Sequence, residues 1–124
     1  MRNKFVVGPV VGQLGANPEV KHDVGARKQT VVSFPLAINL GTGQGEKEQE
    51  PIWVTVEVWG SLGDIAEQLY NQGGLVKGKQ VMVLGRVSDL HAYKGKEGAE
   101  ARYDLTITAT ELDIVSPKEN GEVE

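Results

Sequence analysis

The sequence predicts an all-β chain with a single helix. Three observations predict it. Short runs alternate apolar and polar residues, the two-residue period of a strand with one buried face. Only one segment, SLGDIAEQLYNQGG, has the period of an amphipathic helix. The chain also holds 16 glycines in 124 residues, enough for the tight turns that many short strands need.

The first strand runs from Phe5 to Leu14, FVVGPVVGQL, and must bend or bulge at Gly8-Pro9, because proline has no N–H for a ladder. LGANPEV turns through Asn17-Pro18, and Lys21 to Gln29 is polar. The second strand, Thr30 to Asn39, points Val32, Phe34, Leu36 and Ile38 inward and Val31, Ser33 and Pro35 outward. GTGQGEKEQE (41–50) reads as a hairpin tip. It lacks the GKS or GKT that opens a phosphate-binding helix, so it is no nucleotide loop. The third strand, PIWVTVEVWG (51–60), alternates Ile52, Val54, Val56 and Val58 with Trp53, Thr55, Glu57 and Trp59.

The helix follows, with Ser61 as N-cap, Asp64 completing a capping-box-like pair, Leu62, Ile65, Ala66 and Leu69 as its apolar stripe, and Gly73-Gly74 as its stop. Val81 to Val87 is the fourth strand and His91 to Arg102 a long polar loop. Tyr103 to Val115 is the fifth, with Tyr103, Leu105, Ile107 and Ala109 inward. One domain therefore occupies residues 1–115, and 116–124 form a short polar, acidic tail. Five strands with a helix between the third and fourth is the element order of an OB-fold, a five-stranded barrel.

Composition narrows the function. The chain has no cysteine, which excludes disulfides, thiolate metal sites and a cysteine nucleophile. His22 and His91 stand far apart in no ligand-spaced cluster, so no metal or other cofactor is expected. No acid, base and nucleophile assemble into a catalytic motif, so the protein is not read as an enzyme. No run is long enough to cross a bilayer and no secretory signal opens the chain, which makes the cytoplasm the expected compartment. The net charge is −4, but the tail SPKENGEVE contributes three Glu and one Lys, leaving the rest nearly neutral and free to own a basic groove.

The two tryptophans of the chain both stand on the third-strand face that does not look like core. The surrounding residues resemble those of bacterial single-stranded DNA-binding proteins. VGQLGANPEVKH is similar to that family's first strand and turn, FPLAIN to the end of its second strand, and WVTVEVWGSLGDIAEQL to its third strand and helix. LVKGKQVMVLGRV is similar to its lysine-glycine turn and fourth strand, and RYDLTITATELDIV to its last. These pieces lie in order from Val11 to Val115.

The resemblance implies an OB barrel that assembles as a homo-oligomer, a tetramer before a dimer, and binds single-stranded DNA without sequence preference in replication, repair and recombination. It implies a nucleoid-associated cytoplasmic protein whose Trp53 and Trp59 stack on bases, with Thr55 between them. Stacking tolerates any sequence because every base has a π face. Arg86 on the fourth strand is a phosphate contact or a surface ion-pair partner. Tyr93, Lys94, Lys96 and Arg102 on the long loop, and Lys21, Arg27 and Lys28 near the first turn, are the two basic groups that would track the strand. Leu84, and the absence of tryptophan from both long loops, depart from the family pattern. The sequence ends in NGEVE, without the family's acidic run and terminal phenylalanine, so partner recruitment through such a tail is not carried over. The alternative is a primosome-type OB-fold dimer, mainly a protein-interaction module with weak nucleic-acid binding.

Overall fold

The structure, a computed structural model, describes residues 6–39, 51–93 and 102–115. Its elements are β1 (Val6–Leu14), β2 (Glu19–Val24), β3 (Gln29–Ile38), β4 (Ile52–Trp59), α1 (Gly60–Asn71), β5 (Gln80–Tyr93) and β6 (Arg102–Val115). The sheet order is β1-β5-β6-β4-β3-β2, and β1 also pairs with β3. Five strands, β1, β3, β4, β6 and β5, thus close into the expected OB ring, with β4 and β6 parallel and the other pairs antiparallel.

Alternation built the ring's interior as read. Val32, Phe34 and Leu36 of β3, Val54, Val56 and Val58 of β4, Val81 and Val83 of β5, and Ile107 and Ala109 of β6 are buried together. Leu105 only packs against that core, and the Tyr103 side chain lies outside the described residues. Gly8-Pro9 falls where the β1–β5 register shifts between Val7 and Val10, the bulge that a missing N–H requires.

Several expectations differ from the structure. The polar segment after Asn17-Pro18 holds a sixth strand, β2, on the edge of β3, and the hairpin turn carries Lys28 in the left-handed region at φ 52°. Val31, placed outward by parity, is buried because its cross-strand neighbours Lys21 and Trp59 cover it. His91, Ala92 and Tyr93, expected in the polar loop, belong to β5, which pairs there with Arg102 of β6. The helix starts two residues earlier than a Ser61 cap would place it: Trp59 is its N-cap, with no side-chain hydrogen bond, and Ser61 lies inside the first turn. Gly60, at φ 71°, makes the turn from β4 into α1.

The helix seats on the ring through Gly63 and Ala66. A Cβ at Gly63 would lie 2.6 Å from the Thr30 carbonyl oxygen and 2.8 Å from that of Val58, so the two backbones touch. Leu62, Leu69 and Tyr70 pack beside them, but Ile65 is exposed and belongs to no buried stripe. The glycine stop is as read. Gly73, at φ 84°, donates its N–H to the Tyr70 carbonyl, and Gly74 donates to that of Leu69, a Schellman ending. The Leu75–Lys79 turn is stitched to β1: Gly78 N–H donates to Leu14 O, and Leu14 N–H to Lys79 O. Asn17 Oδ1 accepts from the Lys77 N–H at 2.8 Å.

Candidate functional site

The outward face of β4 is the centre of the site. Trp53 is 52% exposed and Trp59 37%, with Thr55 exposed and Glu57 half-buried between them. Both indoles are anchored on one side. Gly15, at the end of β1, lies under Trp53 so closely that a Cβ there would sit 2.5 Å from Cζ3 of the ring. Trp59 Nε1 donates to Glu57 Oε1 at 3.2 Å. An indole held at one edge and still half-exposed has much of its ordering cost already met by the fold.

Register extends this face across the sheet. Glu57 lies level with Ser33 on β3 and with Thr108 on β6, and Thr108 with Arg86 on β5. Exposed Arg86 therefore shares the tryptophans' face, two strands away, or about 10 Å at the usual strand spacing. Trp59 lies level with Val31, and Val31 with Lys21, an exposed residue of β2. Arg27 and Lys28 are exposed in the β2–β3 turn at the same end. One predicted basic group thus gathers beside Trp59.

Tyr93 and Arg102 are paired backbone positions at the far end of the β5–β6 ladder. Because β6 runs parallel to β4 with Thr106 level with Thr55, that end lies toward Trp53. Lys94 and Lys96 lie outside the described residues, as do the 41–50 hairpin tip and the 116–124 tail. The face is thus flanked by cationic residues near Trp59 and by the aromatic-basic pair of positions toward Trp53.

Two features escaped the sequence reading. Gly15 is one; nothing local distinguishes a glycine under a ring from a glycine in a turn. The other is an ion pair from β2 to α1, where His22 Nε2 lies 3.0 Å from each oxygen of the Glu67 carboxylate. The hydrogen bond to Glu67 and its charge hold the His22 pKa above the ordinary 6.5. Since Lys21 lies on the opposite face of the same strand, this link helps fix the strand that presents it. No group of His, Asp or Glu among the described residues could hold a metal ion.

Comparison with known proteins places the chain. The Single-strand binding protein family profile matches residues 3–115. A single-stranded DNA-binding protein of Xylella fastidiosa is 28% identical over 96% of this chain and 66% of its own length. Single-stranded DNA-binding protein 1 of Synechocystis is 28% identical over 90% of this chain and 84% of its own. Single-stranded DNA-binding protein 3 of Listeria innocua is 31% identical over 98% of this chain and 68% of its own. The chain spans just under two thirds of the Xylella protein and 63% of a Xanthomonas campestris relative. In fold, it matches the crystal structure of the small single-stranded DNA-binding protein from Streptomyces coelicolor with a TM-score of 0.67 at 22% identity, over 92% of this chain and 94% of that one. The second such protein of Mycobacterium smegmatis gives 0.57 at 20% identity, over 98% and 99%. With the OB ring, the open tryptophan face and a family match over nearly its whole length, the chain belongs to the single-strand binding protein family.

Proposed function

We propose that the protein binds single-stranded DNA without strict sequence preference, holding the strand open in replication, repair and recombination. The observation that carries this reading is the pair of half-exposed tryptophans on the one outward face of β4. Bases stack on Trp53 and Trp59 beside Thr55, while Arg86, Lys21, Arg27 and Lys28 neutralise phosphates along the same face. Tyr93, Lys94, Lys96 and Arg102 extend the track past Trp53. The work is binding, with no chemical step and no cofactor, and its compartment is the nucleoid-bearing cytoplasm. No helix among the described residues is long and apolar enough to cross a membrane.

The working unit is a homo-oligomer, a tetramer before a dimer. Val6 at 60% exposure and Val11 at 48% stand with partly buried Met82 and Leu84 on the outward face of β1 and β5, an apolar surface that suits a second copy of the chain. Sedimentation giving only a 13.4 kDa species at micromolar concentration would contradict this.

Trp53→Ala and Trp59→Ala test the stacking role. Ile52, Val54, Val56 and Val58 fill the inward face, so each variant should melt near the wild type and bind oligo-dT more weakly, by ~1–3 kcal/mol per lost stack. Variants that unfold while their folded fraction binds normally would make the tryptophans structural.

A further inference from the structure

Glu57 stands between Thr55 and Trp59 on the face just described, where a carboxylate opposes phosphate. Its Oε1 accepts the Trp59 Nε1 hydrogen bond at 3.2 Å. Its cross-strand neighbours are Ser33 and Thr108, and among the described residues it has no ion pair. The indole bond fixes the carboxylate at the edge of the ring. A base that stacks on that ring and tilts at its Glu57 side aims the donors of its edge at the carboxylate, since a hydrogen bond needs the N–H and its acceptor near one line.

An ionised carboxylate only accepts hydrogen bonds, and its two oxygens offer about four lone-pair sites, of which the indole uses one. Bases differ in what they present to such a group. Guanine offers a ring N–H and an amino group side by side. Adenine and cytosine offer an amino group beside an acceptor nitrogen. Thymine offers one imide N–H between two carbonyl oxygens, which the carboxylate repels.

We propose that Glu57 is a specificity-determining residue that favours a base with adjacent N–H donors, guanine first and thymine last, at the Trp59 stack. The proposal rests on the single-stranded DNA reading above and adds a graded preference to it. Paired N–H donors to a carboxylate form charge-assisted bonds, the strong kind. Repulsion of phosphate by the same group keeps the backbone turned away and the base edge turned in.

The test is anisotropy titration of wild type and Glu57→Gln with two labelled twenty-mers, oligo-dT and alternating d(TG). Glutamine keeps an oxygen for the Trp59 N–H but presents an amide N–H₂ that suits thymine carbonyls. The ratio of d(TG) to dT affinity should fall by about fivefold or more in the variant. Replacing guanine by hypoxanthine, which lacks the amino group, should lower wild-type affinity and leave the variant nearly unchanged. If both proteins bind and the ratios are equal, Glu57 does not read bases. If the wild type binds neither oligomer, the DNA-binding reading fails and the role of Glu57 fails with it.

Discussion

Gly15→Ala displaces Trp53 while leaving that residue itself unchanged. The new methyl carbon would lie 2.5 Å from Cζ3 and 2.7 Å from Cη2 of the indole. Carbon atoms in contact sit about 3.5–4.0 Å apart, so the ring must retreat by about 1 Å. Trp53 is 52% exposed, so it swings toward solvent and leaves no core cavity. Gly15 is not among the residues with positive φ, and alanine accepts its backbone; the stiffer unfolded chain offsets the clash by ~0.4–1 kcal/mol. Stability should therefore stay within about 1 kcal/mol of wild type. Affinity behaves differently. A base stack contributes ~1–3 kcal/mol, so losing part or all of it weakens oligo-dT binding by up to about 5- to 150-fold. The assay is a double-mutant cycle of Gly15→Ala with Trp53→Ala, read by anisotropy and thermal melting. If the glycine acts through the indole, Gly15→Ala has no further effect once Trp53 is gone. Equal effects in both backgrounds would refute the reasoning.

Gly63→Ala gains ~1 kcal/mol of helix propensity but drives a methyl into the Thr30 and Val58 carbonyls, an overpacking cost of ~1–3 kcal/mol. A lower melting temperature is expected, and an unchanged or higher one would contradict the close seating of α1. Glu67→Gln should return the His22 titration midpoint toward 6.5, as followed by NMR; an unmoved midpoint would place the cause elsewhere. Because the folded-state pKa is raised, the stabilisation from this pair is fully present below the ordinary pKa and is lost as pH rises through the raised value. The variant should therefore flatten the pH dependence of stability in that window.

The ring was legible because its strands have one dry face. Val54, Val56 and Val58 alternate with Trp53, Thr55, Glu57 and Trp59, and parity alone placed both tryptophans outward. The strand β2 was not legible, because EVKHDV is wet on nearly all sides and has no period; its strand state comes from pairing with β3. Ile65 fitted the helical stripe, yet contact is made through Gly63 and Ala66, and a seat that close leaves room for a narrower face than periodicity implies. Ser61 had cap chemistry two residues too late, since Trp59 is the N-cap and the left-handed Gly60 already starts the helix. Of the site, the tryptophans and the basic groups were visible as residue types. That Arg86 shares their face depends on the parallel β4–β6 pairing, a long-range register that no local pattern carries.

The most direct measurement is the intrinsic fluorescence of Trp53 and Trp59 during titration with oligo-dT at low and high salt. The chain has two tryptophans and both lie on the proposed face, so the signal reports that face alone. The account predicts strong, saturable quenching whose apparent affinity falls as salt rises, since Arg86 and the basic residues beside Trp59 release counterions from the phosphates. Fluorescence that stays unquenched at saturating oligo-dT in low salt would contradict it.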